Sequence, residues 1–204
     1  MDRAGFFTQL DRHFEHTLAQ HGASARGVDW PSAEAQTLRF DELLKIRGDR
    51  GTFSLNDYGC GYGGLLDHLS GRALAVDYRG FDVSERMIGM ARERHPGAEW
   101  VTREDDLRPA DFTVASGVFN LKLDIGDEAW RDYVLETLAA LDRVSVGGFA
   151  FNMLTAYSDR PLMRPDLYYG DPCFFFDFCK RRYAKDVALL HDYGLYEWTL
   201  LVRK

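Results

Sequence analysis

Several features that would assign a class at once are scarce in this 204-residue chain. It has three cysteines, Cys60, Cys173 and Cys179, an odd number with no Cys-x-x-Cys spacing. That argues against a disulfide framework or a zinc site and for free thiols in a reducing cytosol. The six histidines stand in no metal-ligand spacing such as His-Glu-x-x-His. Positive charge is short: 25 Lys and Arg face 32 Asp and Glu, a net −7. This disfavours broad nucleic-acid binding, which rests on neutralising phosphates, but leaves room for a local basic patch. No apolar run approaches membrane-spanning length, and the first residues, Met-Asp-Arg-Ala-Gly-Phe-Phe, hold no long apolar region, so no signal peptide is expected. Repeats, low-complexity tracts and linkers are absent. The expectation is one soluble, cytoplasmic domain, 46% hydrophobic and 28% charged, large enough for a sizeable core.

What is present centres on residues 53–68, Phe-Ser-Leu-Asn-Asp-Tyr-Gly-Cys-Gly-Tyr-Gly-Gly-Leu-Leu-Asp-His. A strand, Phe53 to Asp57, runs into Gly59, Gly61, Gly63 and Gly64, and a helix begins near Leu65. Glycines between strand and helix permit a tight turn and let a ligand reach bare backbone. Gly59-x-Gly61-x-x-Gly64 satisfies a dinucleotide fingerprint. The charge at the strand end argues otherwise. Asp57 would repel a pyrophosphate and attract a cation.

The rest of the chain reads as alternating helices and strands. Residues 2–21 form an amphipathic helix bearing Phe6, Phe7, Leu10, Phe14 and Leu18. A second helix spans Ser32 to Ile46, with Ser32 as its cap and Glu34 and Glu42 on its polar side. This pair covers the ligand as a lid or packs on the sheet, and Arg39 is within reach of a cofactor carboxylate. A second strand, Tyr78 to Phe81, ends on Asp82, about twenty positions past the glycines, where an acid can accept both hydroxyls of a ribose. Strands follow at Glu99–Val101, Asp111–Ser116 and Phe149–Leu154, with a long helix from Asp127 before the last. A Pro-interrupted aromatic loop over 155–170 leaves an active-face strand end. Asp171-Pro172 opens a helix through Tyr183, with Phe174, Phe175, Phe176 and Phe178 expected in the core. Two strands around Asp192-Tyr-Gly194 close the chain as a hairpin.

Read as Asp57-x-Gly59-x-Gly61-x-Gly63, with Asp82, the pair Asp105-Asp106, the tip of the fourth strand and the terminal hairpin, residues 53–204 resemble a class I S-adenosylmethionine (SAM) methyltransferase. The resemblance implies an α/β fold: a Rossmann-like, mostly parallel seven-stranded sheet with a reversed last strand, helices on both faces and an N-terminal helical lid. It implies one domain over 1–204, with 1–50 as the helical extension, 51–204 as the core and 155–182 as an insertion on the active face. It implies SAM as cofactor and S-adenosylhomocysteine (SAH) as product. Glycines 59 and 61 would approach the methionine part, Asp82 the ribose and Asp105 the adenine. Arg39, Asp57, Cys60, Val83, Met87, Asp106, Leu107 and Ser116 complete the expected cofactor set.

The implied reaction moves the sulfonium methyl in line to an N, O or S atom of an acceptor. Asn120, Tyr157 and Asp159 are candidates for catalysis, and Asn120, Tyr168 and Tyr169 for holding the acceptor. The fourth-strand tip reads Gly117-Val-Phe-Asn120, not the Asn/Asp-Pro-Pro-Tyr of base and glutamine amino-methyltransferases. A small-molecule acceptor is therefore expected. The alternatives are a protein or tRNA methyltransferase, a noncatalytic SAM-binding protein and, more remotely, an NAD oxidoreductase. No metal is expected, and the oligomeric state is open.

Overall fold

The computed structural model describes residues 3–204; Asp2, expected to open the first helix, lies outside the described residues. Helix α1 (Arg3–His21) and helix α2 (Ala33–Leu44) precede strand β1 (Thr52–Tyr58). There follow α3 (Gly64–Ser70), β2 (Ala75–Phe81), α4 (Glu85–Arg94), β3 (Glu99–Val101), β4 (Ala110–Ala115), α5 (Asp127–Arg143) and β5 (Ser145–Thr155). The chain closes with β6 (Tyr169–Gly170), α6 (Pro172–Arg182), β7 (Asp186–Leu190) and β8 (Glu197–Arg203).

Seven strands run in the order β3-β2-β1-β4-β5-β8-β7, and the two-residue β6 pairs with β5 off that path. All pairs are parallel except those of β8, which runs antiparallel to both β5 and β7. This is the expected α/β sheet with a reversed last strand. Strand order reverses between β1 and β4, so their carboxyl ends part and leave a crevice.

Both faces of the sheet are buried, and alternation along each strand sorts the side chains between them. Phe149, Phe151 and Met153 of β5 join Trp198, Leu200 and Val202 of β8 against Trp130, Val134 and Leu138 of α5. Ala150 and Leu201 face the other way, into a cluster with Phe40, Leu43 and Leu44 of α2, Leu65 of α3 and Ile88 of α4. The two N-terminal helices therefore part company. Helix α2 is a layer on the sheet, while α1 lies over the crevice.

Several local expectations shift. Parallel pairing with β1 begins at Thr52↔Ala75, so β2 starts three residues before Tyr78. Glu42, expected on a polar face, is buried and takes Lys45 Nζ at 2.5 Å. Of the four phenylalanines of α6, Phe175 is fully buried and Phe174 is exposed, because consecutive helical residues point about 100° apart and cannot share one face. The 155–170 segment is tied down at both sides. Its Asp166 carbonyl accepts from Lys122 and Leu123, and β6 extends the sheet beside β5. No helix among the described residues is long and apolar enough to cross a membrane.

Candidate functional site

The chain leaves β1 at Asp57 and must turn at once to reach α3. Gly59 makes the turn at φ +75°, and a β-carbon there would stand 2.5 Å from Val118 Cγ2 of the loop after β4. Only glycine meets both conditions. The backbone N–H groups of Gly59 and Cys60 donate to the Phe81 carbonyl at 2.8 and 2.9 Å, pinning the loop to the end of β2. Asp82 completes the clasp. Its Oδ2 accepts from the Gly61 N–H and its Oδ1 from the Ser84 N–H, both at 2.9 Å.

Two acids thus stand at neighbouring strand ends. Asp57 is 2% exposed and accepts the Tyr78 hydroxyl at 2.7 Å. Burial lifts its carboxyl from 3.8 to about 7; the Tyr78 hydrogen bond opposes the shift and the charge of Asp82 adds to it. Burial also raises Asp82; the two backbone N–H groups pull it back and the charge of Asp11 adds to the rise. Opposite them the buried Ser116 hydroxyl has no hydrogen-bond partner. A buried hydroxyl without a partner and two desolvated carboxyls form a donor and acceptor set that a cationic, hydroxyl-bearing ligand would satisfy.

These residues line a cavity of about 1110 Å³, its open mouth included. Helix α1 roofs it with Phe6, Phe7, Leu10, Asp11 and Phe14. One end of α1 is held by Phe6 against Trp130 and Tyr133 of α5, at 5.1 and 6.2 Å between ring centres. Further along, Glu15 pairs with Arg86 of α4 at 3.0 Å. Trp30 forms a wall and presses on Gly117, whose φ is +72° and whose β-carbon would meet the indole at 2.4 Å. Lysine, arginine and histidine are absent from the described lining.

The fold matches that of solved methyltransferases. Human N-acetylserotonin methyltransferase in complex with SAM superposes with a TM-score of 0.64 at 14% identity, covering 98% of this chain and 59% of that one. Magnesium protoporphyrin IX methyltransferase from Synechocystis PCC 6803, with bound SAM, gives 0.54 at 14% identity over 81% of this chain and 76% of the other. No family model matches the chain. In sequence it is 54% identical over 164 residues to "Putative methyltransferase Rv1506c" of Mycobacterium tuberculosis (strain ATCC 25618 / H37Rv), covering 79% of this chain and 99% of the relative. The chain belongs to the class I SAM-dependent methyltransferases.

The crevice of this methyltransferase fits SAM. Asp57 offers a desolvated acid that would suit a cationic end, and Asp82 and Ser116 retain accepting or donating capacity that would suit hydroxyls. Of the residues expected on the cofactor, the structure brings Asp57, Gly59, Cys60, Gly61, Asp82, Val83, Met87 and Ser116 to the cavity wall.

The others lie elsewhere, each for a visible reason. Arg39 is locked in a buried ion pair with Glu197 and stacks 4.1 Å over Trp30, behind the wall. Asp105 and Asp106 sit exposed on a short turn, and Leu107 is in the core. Their neighbour Glu104 instead accepts the hydroxyl of Tyr58, a cavity residue, at 2.8 Å.

The five acceptor-side candidates are also outside the lining. The Asn120 side-chain oxygen is taken by the Leu154 N–H at 3.0 Å. Tyr157 is 69% exposed on the outer loop, and Asp159 accepts the Tyr196 hydroxyl. Tyr168 is buried in the α5-side core, and the Tyr169 hydroxyl accepts the Arg164 N–H at 2.9 Å. The loop hydrogen-bonds onto residues 120–123 through Asp166 and Tyr168, and the five candidate side chains lie away from the lining.

Reasoning from sequence offered the N-terminal helices as a lid but did not name the lining residues of α1, nor Gln36 and Tyr133, and it read Trp30 as packing. One signal was available. Asp11 interrupts the apolar stripe, four residues after Phe7 and three before Phe14, so a charge shares the face expected to be buried.

Proposed function

We propose that this methyltransferase transfers the SAM methyl to an N, O or S atom of a small, largely apolar molecule held beneath α1. The observation that carries this reading is the roof itself. Phe6, Phe7, Leu10 and Phe14 close the crevice from above, leaving an apolar chamber over the strand ends instead of an open docking face. The absence of basic residues from the described lining weighs against a nucleic-acid acceptor, whose phosphates need cations.

When bound, SAM supplies a methyl already activated on a positively charged sulfur. In this reading the backbone at Gly59, Cys60 and Gly61 and the carboxyl of Asp82 hold it. Gln36, whose side-chain oxygen accepts the Tyr62 hydroxyl at 3.2 Å, keeps its amide N–H groups for the cofactor's carboxylate. Asp57 favours the cationic end. The aromatic walls exclude water and align the acceptor, and alignment alone supplies a large part of the rate in such displacements. An acceptor attacking through a free lone pair needs no side-chain base.

Incubating the protein with methyl-labelled SAM and a cell extract, then separating the products by size, tests the reading. Label is expected in the small-molecule fraction. Label confined to protein or RNA would overturn it.

A further inference from the structure

Asp11 is the one acid of the cavity that the strand ends do not account for. It lies on α1, between Phe7 and Phe14 on the same helix face, and all three line the chamber. Asp57 is held by Tyr78, and Asp82 by two backbone N–H groups. Asp11 makes no hydrogen bond or ion pair among the described residues, although α1 offers its other acid, Glu15, to Arg86. Its charge is nonetheless felt at Asp82.

The charge count is one-sided. Among the described residues three carboxyls line the chamber and no basic side chain does. SAM carries two positive groups and one negative, a net of one, which the acids at the strand ends can absorb. Asp11 is left over, solvent-exposed on α1 with Phe7 and Phe14 on the same helix face. A carboxylate beside aromatic faces is the environment that holds an alkylammonium, through ion pairing at one side and cation–π attraction at the other. The same surroundings repel an acidic acceptor and give an alcohol only a hydrogen bond.

We propose that the acceptor is a primary or secondary amine on an apolar, ring-sized body, recognised by Asp11 with Phe7, Phe14 and Trp30. This rests on the small-molecule reading above and narrows it. Asp11 holds the ammonium form, and the ammonium gives a proton to solvent before reaction. The freed nitrogen lone pair then forms the new N–C bond as the S–C bonding pair returns to sulfur. The product ammonium carries one methyl more, and SAH leaves as the neutral thioether.

Three probes of one skeleton test this: 2-phenylethylamine, 2-phenylethanol and phenylacetate, titrated calorimetrically into the SAH-loaded protein. We expect the amine to bind at least tenfold tighter than the alcohol and phenylacetate to bind weakest. Asp11→Asn should abolish the preference for the amine while SAH affinity stays within twofold. An alcohol that binds as tightly as the amine would overturn the amine assignment and leave the small-molecule reading standing. So would an amine preference that survives Asp11→Asn, or a variant whose main loss is in SAH affinity. If SAH binds and none of the three probes does, the amine assignment falls, while the small-molecule reading stands or falls on where the methyl label goes.

Discussion

Arg39 and Glu197 meet as a two-pronged buried pair: Nε to Oε2 at 2.8 Å and Nη2 to Oε1 at 2.6 Å. Asn152 Nδ2 donates to the same carboxylate at 2.7 Å, and its side-chain oxygen accepts the Gly117 N–H at 2.7 Å. The last strand is thereby wired to the cavity wall twice, through Asn152 to Gly117 and through Arg39 to Trp30. Removing one partner leaves a buried charge without its counterion. Glu197→Gln should therefore cost about 3–5 kcal/mol in urea unfolding, and a double Arg39→Met, Glu197→Leu variant should recover most of that. A single variant as stable as the parent would refute this account.

Asp82 clasps the glycine loop and, in our reading, the ribose. Asp82→Ala should weaken SAH binding by about 1–3 kcal/mol, the usual effect of losing hydrogen bonds at one carboxylate. Calorimetric titration of the folded variant checks it. Unchanged affinity would remove Asp82 from the cofactor site.

Asp57 provides a pH signature. Its carboxyl, ordinarily at 3.8, titrates at about 7 in the ligand-free protein. Below that pH it carries a proton, and above it a charge that attracts the cationic end of SAM. SAM affinity should therefore rise as pH passes from about 6 to about 8, and Asp57→Asn should flatten the rise. Stability runs the other way. Because folding favours the neutral form, this group's contribution is full below about pH 4 and is lost as pH climbs towards 7. Flat SAM affinity across that window in the parent protein would contradict the assignment.

Asn120 should behave as a structural residue. Asn120→Ala leaves the Leu154 N–H without its 3.0 Å acceptor, so stability should fall by about 1–3 kcal/mol. Turnover per folded molecule, once an acceptor is in hand, should be unchanged. A large loss of turnover at full stability would return Asn120 to the reaction.

Phe6 anchors the roof. It is 5% exposed, packed on Trp130 and Tyr133. Phe6→Ala should release that end of α1, raise amide exchange along the helix and speed dissociation of SAH, while the sheet keeps its protection. Exchange that stays as slow as in the parent would show that α1 is held by other contacts.

The fold was legible because its determinants are local. Alternation of apolar residues marks β5 and β8, the Ser32 hydroxyl accepts the Ala35 N–H as a cap should, and Asp57 to Gly63 set a turn whose geometry only glycine permits. The placement of Asp57 and Asp82 on the crevice wall was legible too, since both stand at strand ends of known spacing, while Arg39, Asp105, Asp106 and Leu107 fell outside the lining. The acceptor half was not. Arg39 and Glu197 are 158 positions apart, and nothing in either neighbourhood announces the other. Asn120 and the 155–170 loop occupied the right end of the right strands, yet their polar groups were spent on one another and on the backbone. The sequence by itself determined the sheet, the glycine turn and the acids at its edge, because propensity, periodicity and steric limits act within a few residues. Only the tertiary structure decided which helix roofs the crevice and which polar groups remain free to meet a ligand, because both depend on contacts between segments far apart in the chain.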